Sequence, residues 1–414
     1  MDLLSPKIQR YPWGTVDAIA DLQGRPVPAP GPEAELWMGA HPSAPSALHR
    51  PPAPLVTLDA LIAIDPEREL GPQVMASFGG RLPFLLKVLS AARALSIQVH
   101  PSRVQAEAGY AAENARRLPP GDPGRNYVDN WPKPELLYAL TPFEVAAGLR
   151  PPSDASALLQ ALEVDELKPL AAGLTDMRAA LASILEWPDP GPLVASVVAA
   201  CQRLAASDSP FADACAAAVR VAADHPGDIG VVALLLMRHE VLQPGQAVFM
   251  PAGGLHAYLH GTGIELLANS DNVVRSGLTG KHIDVPELLK LLDPSVAVPV
   301  LSPHPAGDGI ATFDTPAPEF RLYLIDLPAP PPASALPAPA SASALAAPAS
   351  ALALPGAGPR ILLCLDGACS LHAASGQELT LTRGGSCFIP FADGPVHATG
   401  HARLALATPG IAPL

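Results

Sequence analysis

Gly245-Gln246-Ala247-Val248-Phe249-Met250-Pro251 and Gly384-Gly385-Ser386-Cys387-Phe388-Ile389-Pro390 follow one pattern: a glycine turn, an apolar run of strand length, and a proline that ends it. A run this short, bounded by turn signals, reads as a buried strand. Its recurrence late in the chain points to two related β-lobes.

Working outward, β-type runs such as Pro83–Leu89 and Leu95–His100 are punctuated by Gly and Pro turns up to about residue 150. This is the first part of one lobe. From 151 to 238 the pattern turns helical, with Leu193, Val194, Val197 and Val198 on one face and Ser209-Pro210 read as an N-cap followed by proline at the first helical position. β-character returns over 239–327, where Pro286 opens a short helix. Residues 328–359 are almost entirely Ala, Pro, Ser, Leu and Gly, a composition expected of a linker or loop. A second lobe then occupies 360–414. The fold expected is mainly β, two lobes with an α-helical insert.

Composition removes several function classes. A net charge of -13 without a basic stripe disfavours nucleic acid and anionic membrane as partners. Apolar residues make up 49 %, but much of that is alanine among 51 prolines, and no run reaches the roughly 18 residues of a membrane span. The N-terminus has neither a basic nor an apolar leader region, so a cytoplasmic protein is expected. Cys201, Cys215, Cys364, Cys369 and Cys387 lack paired spacing and read as buried free thiols.

In Leu95-Ser96-Ile97-Gln98-Val99-His100 the two-residue period puts Leu95, Ile97 and Val99 on one face and Ser96, Gln98 and His100 on the other. Pro101 ends the strand, and Ser102 with Gln105 reads as a capping box opening a helix to about Arg116. Lys133-Pro134-Glu135 brings two charges into an apolar strand, where each needs a partner. Pro251-Ala252-Gly253-Gly254-Leu255 delivers His256 into a return strand. Gln98, His100, Glu135 and His256 together form a mixed N/O donor set suited to Zn2+ with an open position. A structural role for each residue alone remains open on spacing. Further on, Arg275 and Lys281 flank Gly277 and Gly280 and suit a phosphate or developing oxyanion, the competing reading being an arginine held at the surface by Asp271.

The blocks Tyr11-Pro12-Trp13-Gly14, Glu35-Leu36-Trp37-Met38-Gly39 with His41-Pro42, Leu95 to Pro101, Lys133-Pro134-Glu135-Leu136, the His256 turn, and Ser270 to Lys281 resemble type I phosphomannose isomerases in order and spacing. The resemblance covers about residues 8–292. It implies a bicupin fold of two jelly-roll lobes and one Zn2+ per chain on Gln98, His100, Glu135 and His256. It also implies interconversion of mannose 6-phosphate and fructose 6-phosphate through a cis-enediol. The catalytic arginine falls on Arg275, with Glu265, Lys281 and Lys133 as further catalytic candidates and Trp13, Glu35, Lys87, Ser96 and Tyr258 as substrate-binding ones. Gly280 stands where many members have proline before the lysine, which loosens the inference for Lys281. A monomer acting on a small sugar phosphate is expected. The alternatives are a non-catalytic zinc cupin that senses sugar phosphate, tested by turnover, and a cupin oxygenase, against which Gln98 and the cationic loop argue. His397 and His401 follow the second strand without a matching Gln-x-His or Lys-Pro-Glu, so a second metal site is not expected.

Overall fold

The computed structural model describes residues 1–48, 50, 55–119, 121–328 and 351–411. The chain divides into a terminal unit, Met1–Arg10, Val16–Val88 and Ser302–Leu414, and a central unit, Tyr11–Thr15 and Leu89–Leu301. Both rest on antiparallel strands, the mainly β architecture that the sequence implied. The strand Phe84–Ala91 runs from one unit into the other.

In the central unit the 13-residue strand His256–Ala268 organises the rest. Its first part pairs with Phe143–Leu149 (His256↔Ala147) and with Ile97–Val99 (His256↔Gln98). Its second part pairs with Glu135–Ala139 (Leu267↔Glu135). The ladder shifts between Tyr258 and His260, and Gly261 follows at φ 127, where a Cβ would lie 2.7 Å from the Pro142 carbonyl oxygen. Only glycine makes this bend without strain, so one strand serves two sheets.

Six helices and a 3-10 turn lie between Pro152 and Leu235. In Pro190–Ala205, Leu193, Val194, Val197 and Cys201 are buried at helical spacing and share a core with Ile97 and Val99. Each fully buried aliphatic side chain of this kind contributes roughly 1.5–3 kcal/mol. The cap expected at Ser209-Pro210 is displaced: the helix is Ala212–Asp224, and Ser209 instead closes a turn in which its carbonyl accepts the Ala212 N–H at 3.0 Å. The capping box of Ser102 and Gln105 is present on Arg103–Ala115. The short helix at Pro286 is Val285–Leu291, with the Asp284 carboxylate accepting the Glu287 N–H at 2.9 Å.

The terminal unit is built on Arg360–Ala373 and Val396–Thr408, paired from Ile361↔Ala407 to Ala373↔Val396 over a core that includes Leu362, Cys364, Leu371, Leu404 and Leu406. The strand Asp2–Ser5 joins Ser386–Ile389 (Asp2↔Phe388) to Ala47–Leu48 (Ser5↔Ala47). Within residues 16–88 the strand Ala47–Leu48 thus joins this sheet, whereas Glu35–Met38 and Phe84–Ala91 lie in the sheet of His256–Ala268. Of the expected linker 328–359, residues 329–350 lie outside the described residues. Leu352–Ala353 pairs with Val396–Thr408 and Leu354 is buried, so the lobe begins before residue 360. All five cysteines are buried and free, as expected.

The recurring heptads extend into a longer correspondence. Gly245 and Gly261 lie 16 residues apart, as do Gly384 and Gly400, and the members of each pair share positive φ (98 and 127; 78 and 123). Each unit thus has a glycine turn, a four-residue strand, a proline and a 13-residue strand bent at a glycine.

Candidate metal centre and active site

The sheet of the central unit brings three widely separated residues together. Gln98 opposes both His256 and Arg275 in register, on a strand whose neighbours Ile97 and Val99 face the helical core. Strand alternation therefore turns Gln98 to the other face, where His100 follows. Glu135 opens its strand beside Met250 and Leu267. His100, Glu135 and His256 are all buried, and one donor atom from each lies within 4.8 Å of the others.

Both imidazoles have a fixed tautomer. His100 Nδ1 donates to the Asn272 carbonyl at 2.8 Å, and His256 Nδ1 donates to the Gly254 carbonyl at 3.0 Å. Each Nε2 is then a lone pair. His256 Nε2 lies 2.9 Å from Glu135 Oε1, and His100 Nε2 lies 3.3 Å from Oε2. The first approach sets acceptor against acceptor, so that nitrogen, though close to an oxygen, has no hydrogen-bond partner among the described residues. A buried carboxylate met by two imidazole lone pairs calls for a cation among them, and this donor set fits Zn2+.

The Gly253-Gly254 turn serves both histidines. Gly253 has φ 79, donates its N–H to the His100 carbonyl at 3.0 Å, and is followed by the residue that orients His256.

Lys133 Nζ lies 3.3 Å from Glu135 Oε2 and 3.4 Å from His100 Nε2, and Tyr258 donates to Glu135 Oε1 at 2.9 Å. Burial and then repulsion from Lys133 push the His100 pKa down to about 3. Burial alone would raise the Glu135 carboxyl, but Lys133 and the two histidines hold it well below the usual range. Burial, reinforced by Glu135 and Glu265, keeps Tyr258 protonated far above its ordinary value. The donors are thus ready for a metal near neutral pH.

Glu265 is buried on the same long strand, opposite Leu137. Arg275 is half-buried, and desolvation lowers its pKa against the attraction of Asp271 and Tyr11. Tyr11 stacks on Trp13 with ring centroids 5.6 Å apart, and Lys281, exposed on its loop, holds Nζ 5.9 Å from the Tyr11 ring. Ser96 lies half-buried ahead of the strand Ile97–Val99. The terminal unit carries Glu35 and Lys87: Glu35 accepts from Trp37 Nε1 at 2.6 Å and lies 3.7 Å from Lys87 Nζ, which sits 4.7 Å from the Trp37 ring centre.

Sequence reasoning passed over two residues that shape this site, Asn272 and Asp129. Asn272 Nδ2 donates to the carbonyls of Asp129 and Trp131, each at 2.8 Å, and its Oδ1 accepts the Val128 N–H at 2.8 Å. Asp129 accepts from Ser270 Oγ at 2.9 Å and from the Asp271 N–H at 3.0 Å. This network joins the segment before Lys133 to the segment before Arg275. The only sequence signal was the polar run Ser270-Asp271-Asn272 entering an apolar strand.

A model of the type I phosphomannose isomerase catalytic domain matches residues 1–152. The mannose-6-phosphate isomerase of Escherichia coli (strain K12) is 35 % identical, the alignment covering 98 % of each chain. The enzyme of Rattus norvegicus is 31 % identical over 78 % of this chain and 82 % of its own. A crystal structure of zinc-bound mannose 6-phosphate isomerase superposes with a TM-score of 0.85 at 33 % identity, covering 99 % of both chains. A variant of phosphomannose isomerase from Salmonella typhimurium gives 0.86 at 32 % identity, with 99 % and 100 % covered. Full-length kinship with these enzymes, joined to a buried His, Glu and His cluster able to hold a metal, places the chain in the type I phosphomannose isomerase family.

Proposed function

We propose that this chain is a zinc-dependent isomerase interconverting D-mannose 6-phosphate and D-fructose 6-phosphate through a cis-enediol. The observation that carries the reading is the convergence of the His100 and His256 Nε2 lone pairs on a buried Glu135 carboxylate, in a chain related over its full length to such enzymes. Gln98, His100, Glu135 and His256 would hold one Zn2+. Bound there, the ion supplies Lewis-acid polarisation and stabilises developing negative charge.

The reaction moves a proton between C1 and C2 of the open-chain sugar. A base removes it beside the carbonyl and returns it to the neighbouring carbon, while the oxygens exchange their proton. Glu265, buried and near the metal donors in sequence and sheet, and Lys281, on the exposed loop, are the base candidates. Arg275 supplies a fixed, partly desolvated cation for the enediolate, a setting in which charge stabilisation is strong. Lys133 and Tyr258 hold the Glu135 oxygens, and Tyr258 is also a substrate-binding candidate. Trp13, Glu35, Lys87 and Ser96 complete substrate binding, Lys87 and Ser96 as phosphate contacts. The net charge of -13 argues against nucleic-acid and anionic-membrane partners, and a monomeric cytoplasmic enzyme is part of the proposal.

The test is coupled turnover of mannose 6-phosphate before and after chelation and zinc restoration. Activity should disappear with chelator and return with zinc. His256→Ala should lose both metal and turnover, whereas Arg275→Ala should keep metal and fold and lose turnover. Equal metal loss in the two variants would contradict the division of roles, and inactivity of folded, zinc-loaded wild type would contradict the function.

A further inference from the structure

The correspondence between the two β-lobes draws attention to one end of the second lobe. In the central unit Met250, five residues after Gly245, opposes Glu135. In the terminal unit Ile389, five residues after Gly384, opposes Arg360. Arg360 therefore occupies the position that Glu135 holds in the metal-binding lobe. A buried guanidinium has replaced a buried carboxylate.

Arg360 is only 1 % exposed. Its Nη1 and Nη2 donate to the carbonyls of Gly356 and Gly394 at 3.3 and 2.5 Å, and its Nε has no hydrogen-bond partner among the described residues. Asp393, the carboxylate that attracts it, also pairs with the Met1 ammonium group. One carboxylate thus answers two cations.

The same lobe holds a cavity of about 470 Å³, within the usual range for small-molecule sites, and Arg360 lies behind its wall residue Gly356. Gly356 forms part of its wall, and Arg360 Cδ lies 3.8 Å from where a Gly356 Cβ would stand. Val74, Ala357, Phe391 and Pro409 make the lining apolar, while Arg321 and Tyr323 add polar groups from one face of the strand Arg321–Leu327. Arg321 is half-buried and has no carboxylate partner among the described residues.

We propose that this cavity binds a small organic anion, an aromatic or alkyl body bearing one carboxylate, sulfonate or phosphate group, with the anionic group on Arg321 and the body against Phe391 and Val74. The carboxylate and two imidazoles of the first lobe attract a cation. Arg321 and the apolar walls of the cavity in the second favour an amphiphilic anion. This inference does not depend on the isomerase reading.

The experiment is fluorescence titration of full-length, zinc-loaded protein with 8-anilinonaphthalene-1-sulfonate. Saturable binding of one dye per chain is expected, displaced by octanoate but not by inorganic phosphate at equal ionic strength. Arg321→Gln should weaken binding at least about ten-fold, the loss of a charge-assisted contact. Ala357→Trp, a substitution at an exposed rim position, should fill the cavity and remove binding even where changes at Arg321 disturb folding. Both variants should keep isomerase turnover. Absence of saturable binding, wild-type binding by both variants, or displacement by phosphate as effective as by octanoate would overturn the proposal.

Discussion

Asn272→Ala tests how the metal donors are held. The Asn272 side chain is fully buried and accepts the N–H groups of Val128 and Asp129 at 2.8 and 3.2 Å, while its own N–H groups satisfy two carbonyls. Alanine removes all of these contacts and leaves two donors unpaired. An unsatisfied buried donor costs about 1–3 kcal/mol. Val128 is 47 % exposed, so water will restore part of the loss, and a total of roughly 2–4 kcal/mol is expected. For a unit of this size that lowers the melting temperature by roughly 4–16 °C. Because the Asn272 carbonyl also fixes His100 and the freed segment leads to Lys133 and Glu135, zinc affinity should fall about 10–100-fold. Thermal unfolding of the metal-free protein and competition for zinc with a chelator measure the two effects separately. Unchanged melting together with unchanged affinity would refute the reasoning.

Two further outcomes follow from the same geometry. With a folded pKa of about 3 for His100, the unfolded chain binds a proton that the native chain refuses, so metal-free protein should lose about 1.4 kcal/mol per pH unit as pH falls below about 6.5. Urea unfolding at pH 7 and pH 5 reads this slope, and His100→Asn should flatten it; equal slopes in the two proteins would count against it. Gly277→Ala places a Cβ 2.7 Å from Gly230 Cα, a backbone contact that cannot yield cheaply, so the strand bearing Arg275 should shift. Turnover should fall with zinc content unchanged, and wild-type kinetics would show that the close approach is unimportant.

Local chemistry made much of the metal centre legible. A two-residue period aligned Gln98 and His100, a capping box stopped the strand behind them, and Lys133-Pro134-Glu135 marked charges that had to be paired. The glycine turn ahead of His256 needed no partner to be recognised. The partners of these residues were not legible. His100 is oriented by a main-chain carbonyl 172 positions away, and every residue type carries such a carbonyl. Asp129 and Asn272 read as ordinary polar residues because hydrogen bonding between distant segments leaves no periodic trace.

By itself the sequence marked out most strand and helix segments, the two-lobe repeat and the four residues proposed to hold zinc as candidates, because period, capping and turn chemistry act over a few neighbouring residues. The tertiary structure alone decided that Ala47–Leu48 pairs into the sheet of the C-terminal strands, that both imidazoles turn Nε2 toward Glu135, and that Arg360 stands at the Glu135 position of the second lobe. Those outcomes depend on which strands pair and in what register. A short β-strand leaves its hydrogen-bonding edges open to many partners, and only the packed whole selects among them.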